Sequence, residues 1–252
     1  NEAKITTKDG VKFYSGESLI ATFEKDTITT VKLCTDGTYI IQNADKSWTQ
    51  ISPPRFKSLK KDGIIELSNY ENRPSWNKSI NQNVYRGVLE VRNVDSTLKV
   101  INELSLEDYL KGIAEIANNT PKEKIKTIII LARSYAKYYR DIGVKFPGKP
   151  YHLDDDPNHS QKYVGYGYEM RAPNIVAAVD ETSGQIVTYE GKQVITPYFS
   201  QSDGRTRSAQ EVCGWTDRPY LVSVPDKFCG TKVLKGHGVG VSGCGATKLA
   251  EQ

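Results

Sequence analysis

Residues 104–136, LSLEDYLKGIAEIANNTPKEKIKTIIILARSYA, are where the chain changes its period, and that change decides the fold class. Ser105 followed by Asp108 is a helix-start signature, and Leu106, Tyr109, Leu110, Ile113 and Ala117 then recur at helical spacing. On a helical wheel Leu106, Leu110, Ile113 and Ala117 share a narrow arc, and Glu115 falls opposite, off the apolar face. By itself such a glutamate reads as a solvent-exposed residue near a helix end. A second start follows at once: Thr120 caps, Pro121 suits the first helical position, and Glu123 completes a Thr-x-x-Glu box. This second helix is expected to run to about Tyr139, with Ile125, Ile128, Ile129, Ala132, Ala136 and Tyr139 on one face and Ile130 and Leu131 adding apolar surface elsewhere. Its basic positions Lys122, Lys126, Arg133, Lys137 and Arg140 read mostly as a solvated stripe.

Upstream, from about residue 5 to 102, the pattern is different. SLIATFEK, TITTVKLC, TYIIQN, GIIELSN, GVLEVRN and STLKVIN are short, β-branched and separated by turn signals such as Asp36-Gly37 and Asp62-Gly63. Downstream, after a loop-rich stretch, strand signals return in QIVTYEGKQVITPYFS and PYLVSV. The fold class expected is α+β, with mostly antiparallel β sheets around a helical hairpin. Pro53-Pro54-Arg55 and the lysine-rich KSLKKDG suggest a boundary between a small all-β N-terminal module, residues 1–58, and a main domain, residues 59–252.

The 252 residues, 38% of them hydrophobic, suffice for a sizeable core without staples. A net charge of +4 is mild and scattered. No basic cluster interleaved with aromatics and no zinc-finger or helix-turn-helix spacing occurs, so nucleic acid is not expected as a partner. No run approaches the roughly 18 apolar residues that a membrane-spanning helix needs. The opening NEAKITTKDG does not read as a secretory leader, so a cytosolic chain or one whose leader has been removed is expected. Cysteine usage favours the second: Cys213, Cys229 and Cys244 cluster late in the chain while Cys34 stands alone, and a bridge within the trio would go with export.

GHGVGVSGCGA, residues 236–246, contains Gly238-x-Gly240-x-x-Gly243, the spacing of a dinucleotide fingerprint. The acidic ribose ligand about 20 positions on is missing, and no Gly-Lys-Ser/Thr is present, so a nucleotide site is not expected. His237 and Ser242 lie inside this glycine-rich stretch, and both can donate and accept protons.

The decisive stretch resembles the opening motif of the stage II sporulation protein D family, also called SpoIID/LytB. The match runs through Leu106-Glu107-Asp108-Tyr109-Leu110-x-Gly112, then Glu115, then Pro121, Glu123, Lys126 and Ala132-Arg133-Ser134-Tyr135-Ala136. It continues through SQKYVG from Ser160 to Gly165, SGQIVTYEGK, FSQSDGRTRSAQEV, PYLVSVPD and GHGVGVSGCGA. Ile128 and Gly243 stand where that family often has glutamine.

The resemblance implies a lytic transglycosylase acting on peptidoglycan glycan strands, with Glu115 as the single catalytic residue. One glutamic acid can protonate the leaving oxygen of a β-1,4 bond and, once ionised, take the proton of the sugar's own C6 hydroxyl. A glycoside hydrolase would normally use a second carboxylate. For substrate binding the resemblance implies Lys126, Arg133 and Tyr135 on the second helix, and Ser160, Gln161 and Tyr163 after it. From the later motifs it adds Ser200, Ser202, His237 and Ser242, with Gly238 and Gly240 letting backbone approach the glycan. No cofactor and no metal are expected. The implied partners are glycan strands and a peptidoglycan amidase, and the implied place is extracytoplasmic, at the cell wall or secreted. The alternative is a non-catalytic wall-binding module that enhances a partner amidase.

Cys229 and Cys244 flank the two closest family motifs, and this pair is expected to be bonded. The bridge would contribute about 3 kcal/mol on loop-entropy grounds. His152, Asp154, Asp156 and His159 fall where some relatives bind zinc, but the matching cysteines are absent, so a solvated acidic turn is expected. Trp48, Trp76 and Trp215 could stack on sugars, although core packing is the commoner use of tryptophan.

Overall fold

A computed structural model describes residues 2–229 and 233–252. The strands are β1 (Glu2–Thr6), β2 (Val11–Ser15), β3 (Ser18–Phe23), β4 (Thr29–Leu33), β5 (Tyr39–Asn43), β6 (Lys46–Gln50), β7 (Pro54–Ser58), β8 (Ile65–Leu67), β9 (Val84–Tyr85), β10 (Val88–Val94), β11 (Thr97–Glu103), β12 (Thr188–Tyr189), β13 (Lys192–Gln193), β14 (Tyr198–Phe199) and β15 (Val241–Ser242). The helices are α1 (Leu106–Lys111), α2 (Lys122–Asp141), α3 (Tyr166–Glu169), α4 (Pro173–Glu181), α5 (Ala209–Cys213) and α6 (Gly243–Ala250). The class is α+β, as the sequence predicts.

The chain divides into two compact units. The first holds residues 1–113, 149–151 and 163–171; the second holds 114–148, 152–162 and 172–252. In the first, two antiparallel sheets, ordered β6-β5-β4-β1-β8-β9 and β11-β10-β7-β2-β3, share one apolar core. Ile5, Val31, Ile41 and Ile65 come from one sheet and Phe13, Phe56 and Leu89 from the other, all at or below 1% exposure. Alternation explains this: β5, β7 and β8 bury every second residue, which puts one face of each strand inward. Phe13 stacks on Phe56 and Phe23, and Trp48 closes the cluster edge-on. β7, which ends at Ser58, is bonded to β2 on one side and β10 on the other. The residue-58 boundary thus falls between strands of shared sheets, and the compact units part after Ile113 instead.

The first expected helix is shorter than its sequence pattern. Ser105 caps it as predicted, its Oγ accepting from the Asp108 amide at 3.1 Å and donating to Asp108 Oδ2 at 2.8 Å. The helix then stops at Lys111, because Gly112 takes the C-cap and Ile113 leaves to form an antiparallel bridge with Tyr163. Ile113 and Ile116 are buried without being helical, which is how an apolar period imitated a longer helix. The expected helical hairpin is therefore one short turn of helix and one long helix. Thr120 is not the cap of α2; Pro121 holds that position and makes no side-chain cap bond.

In the second unit α2 packs on α4 and α6. Ile125, Ile129, Ala132 and Ala136 are buried along it, as are Ile175, Ala178 and Val179 of α4. α4 lies between the loop-rich stretch and the returning strand signals, where the sequence analysis places no element, although Pro173 at the first turn and the apolar run 175–179 are a helix signal. β12 and β13 form a hairpin, and β14 pairs with β15 in parallel. Gly240 makes the last pairing possible: at φ +82° it brings the chain so close that a Cβ would stand 1.9 Å from the Pro197 carbonyl. No helix among the described residues is long and apolar enough to cross a membrane.

Candidate active site

The second unit contains a cavity of about 660 Å³, a size usual for ligand sites. Its floor is one stripe of α2: Lys124, Ile128, Tyr135 and Tyr139 line it, at helical intervals that keep them on one face. Fifteen helical steps separate the first from the last, or about 22 Å at 1.5 Å per residue, which is longer than one sugar ring. Ser160 and Gln161 form one wall, and Tyr198, Phe199, Ser200 and His237 another. Trp215 joins the lining, its ring covered by the Arg218 guanidinium at 4.2 Å.

Glu115 is the carboxylate of this lining. It sits in the loop between α1 and α2, so its place comes from strand-like pairing and not from a helix wheel. The Ala114 amide donates to Lys162 O at 2.8 Å, and the Lys162 amide donates to Glu115 Oε1 at 2.5 Å. A backbone donor thus fixes one carboxylate oxygen, leaving the other for the cavity. Next to it, burial pushes the Tyr135 hydroxyl well above the usual tyrosine range, with the negative charges of Asp154 and Glu115 adding to the shift.

Several expected binding residues meet here. Tyr135, Ser160, Gln161, Ser200 and His237 all line the cavity with Glu115. Gln161 is 2% exposed and uses its amide on Ala132 O and the Tyr198 hydroxyl, which anchors the wall. His237 Nδ1 accepts from the Val239 amide at 3.0 Å, and burial holds its pKa below the usual histidine range, opposed by a hydrogen bond with the Tyr198 backbone.

The others are elsewhere. Arg133 is 1% exposed and bonds Val179 O at 3.2 Å, Thr182 Oγ1 at 3.3 Å and Gln185 O at 3.2 Å. It caps the C-terminal end of α4, where carbonyls lack helical partners and a cation is favoured. Lys126 is taken by Glu123 and Glu181 on the outer face of α2. Tyr163 belongs to the first unit, where its hydroxyl donates to Asn102 Oδ1 at 2.8 Å. Ser202 is fully buried on Asp226, at 2.7 Å. Ser242 caps α6 by accepting from the Gly245 amide. Gly238 and Gly240 approach Arg207 and Pro197, not the cavity, whereas Gly236 and Gly243 do line it. Sequence reading missed Lys124, Tyr139 and Lys145; the period of α2 could have supplied the first two.

Cys229 and Cys244 are joined, with Cα atoms 5.5 Å apart, and the bridge ties the loop before the glycine-rich stretch to the first turn of α6. Asp226 and these two sulfurs lie within 4.8 Å of one another, but bonded sulfurs offer no thiolate to a metal. His159 of the acidic turn pairs with Asp154 at 3.2 Å and Asp156 at 3.7 Å. Trp48 is core, Trp76 is 72% exposed, and Trp215 is part of the cavity.

Residues 94–189 match the family model for the stage II sporulation protein, SpoIID. An uncharacterised protein of Brachyspira hyodysenteriae is 32% identical over 176 residues, which cover 69% of this chain and 44% of that protein. Stage II sporulation protein D of Bacillus subtilis is 28% identical over 136 residues, or 49% of this chain and 39% of the relative. Its counterpart in Bacillus amyloliquefaciens is 29% identical over the same shares. The chain thus spans about two fifths of the length of the curated relatives it matches. Residues 94–189 of this chain belong to the SpoIID family.

Proposed function

We propose that this protein is a cell-wall enzyme, a lytic transglycosylase that cuts the β-1,4 bond between N-acetylmuramic acid and N-acetylglucosamine in peptidoglycan strands. The observation that carries the reading is Glu115: a carboxylate fixed by a backbone amide at the wall of an elongated cavity lined with aromatic and hydroxyl groups. Protonated, Glu115 gives its proton to the departing oxygen of the glucosamine; ionised, it takes the proton of the muramic acid C6 hydroxyl as that oxygen closes on C1. The glutamic acid is regenerated, no water is consumed, and the new end is a 1,6-anhydro sugar. Tyr135, Tyr139 and Trp215 line the cavity, and their faces not taken by Lys145 and Arg218 are those on which sugar rings would stack. The Cys229–Cys244 bridge supports an extracytoplasmic place, at the wall or secreted.

The second reading is a wall-binding module that enhances a partner amidase. It is favoured by Ile128 and Gly243, which give the cavity lining no polar side chain at two positions. Incubation with purified glycan strands, intact and stripped of stem peptides, separates the two. Cleavage that falls a hundred- to ten-thousand-fold in Glu115→Gln, with strand binding retained, is expected for the enzyme. Binding without cleavage by the unaltered protein identifies the module.

A further inference from the structure

Two half-buried cations line the Glu115 cavity, and neither has a carboxylate within ion-pair distance among the described residues. Lys124 donates only to Thr247 Oγ1, at 2.6 Å. Lys145 has a stranger setting. Its ammonium lies 5.1 Å from the centroid of the Tyr139 ring, 5.7 Å from Tyr135 and 5.9 Å from Phe146.

An ammonium taken partly out of water is costly unless something compensates. Aromatic faces hold such a cation in place without using its three N–H donors, since the attraction is to the ring and not to a lone pair. The result is a lysine fixed in position with its hydrogen-bonding capacity open to the cavity. Burial lowers the Lys145 pKa, and the Asp154 carboxylate, which lies beyond ion-pair distance, raises it. Elsewhere on the second unit exposed lysines do find carboxylates: Lys122 pairs with Glu181 and Lys248 with Glu251. The cavity lysines differ from these in being unpaired where desolvation is greatest. Glu115 is the carboxylate that lines the cavity beside these two lysines, while Asp154 acts on Lys145 and Glu251 on Lys124 from outside the lining.

We infer that Lys145, seated on Tyr135 and Tyr139, is a specificity-determining residue that receives a carboxylate of the glycan bound beside Glu115. This rests on the proposed glycan substrate. On such a strand the carboxylate can be that of the muramic lactyl group, where no peptide is attached, or one belonging to a stem peptide. Tyr135 links Lys145 to Glu115, since its ring lies under the ammonium and its hydroxyl feels the Glu115 charge. A carboxylate held at Lys145 would therefore set where the sugar lies relative to the proton donor.

The test is equilibrium binding of strands to the protein in the Glu115→Gln background, so that its outcome does not depend on cleavage. Three strands are used: peptide-free with lactyl carboxylates, peptide-free with those carboxylates amidated, and peptide-bearing. Lys145→Gln is expected to weaken binding of a carboxylate-bearing strand about tenfold or more and to leave the amidated strand unaffected, while Lys145→Arg restores binding. Loss confined to the first strand assigns the lactyl group, and loss confined to the third assigns the peptide. Equal loss on amidated and free strands, no loss on any strand, or failure of Lys145→Arg to restore binding in a protein with an unchanged melting curve overturns the inference. Retained cleavage by the unaltered protein beside a negative binding result would leave the proposed function standing and remove only the role of Lys145.

Discussion

The strands of the first unit mostly run five to seven residues, and β1, β4, β5, β7 and β10 alternate buried with open positions, whereas those described in the second are two residues long and depend on glycines, loops and a disulfide. The first unit stores its order in a repeating pattern that buries one face of each sheet. The second stores it in particular contacts: Arg133 at the end of α4, Gly240 against Pro197, Cys229 bonded to Cys244. The cavity that holds Glu115 is in the second. A framework made of local contacts can place loop residues around a cavity in ways that a regular sheet cannot.

The sharpest way to break this contrast is to damage the patterned unit alone. Phe13 is fully buried and stacks at 5.5 Å on Phe56 and 6.1 Å on Phe23. Phe13→Ala should cost about 3–5 kcal/mol in a denaturant melt, because the cavity it leaves cannot collapse in a stacked cluster. The strand-cleaving rate of the folded protein should stay unchanged. A lost rate at full folding would mean that the core of the first unit also shapes the site.

The next largest effect belongs to the contact-built unit. Replacing Cys229 and Cys244 together by serine should lower stability by about 3 kcal/mol, from the loop that the bridge closes. Mass spectrometry of protein prepared without reductant should find this pair linked. Both thiols free, or a double variant as stable as the parent, would remove the bridge from the account.

The smallest effect is a slope in pH. Burial lowers the folded pKa of His237, so as pH falls below about 6.5 the unfolded chain takes the proton first. Stability that is present above the unfolded pKa is then lost as pH falls toward the folded value. His237→Gln should flatten this part of the curve. An unchanged slope would show that the ring is not held neutral by its surroundings.

What the sequence made legible follows the same division. The strands of the first unit are readable because short β-branched runs are set off by turn signals, and β3, β4, β5, β8, β10 and β11 fall on the segments expected. Glu115 stands out as a candidate in the sequence only through the family motif. Its expected helix is absent, because Ile113 and Ile116 are buried by loop pairing that imitates a helical period. Arg133 and Ser202 match the motif yet turn inward, since a motif records which residues recur and not whether they face ligand or fold. Lys145 and Trp215 reach the cavity from loops far apart in sequence, and no local pattern announces that.

The central claim is that Glu115 serves first as acid and then as base, with the sugar's C6 hydroxyl as nucleophile. The measurement that reaches it most directly is mass spectrometry of the strands after digestion in water enriched in ¹⁸O. The account predicts 1,6-anhydro muramic ends carrying no solvent oxygen, formed by the unaltered protein and lost in a folded Glu115→Gln variant. Reducing ends labelled with ¹⁸O, or unchanged products from Glu115→Gln, would contradict it.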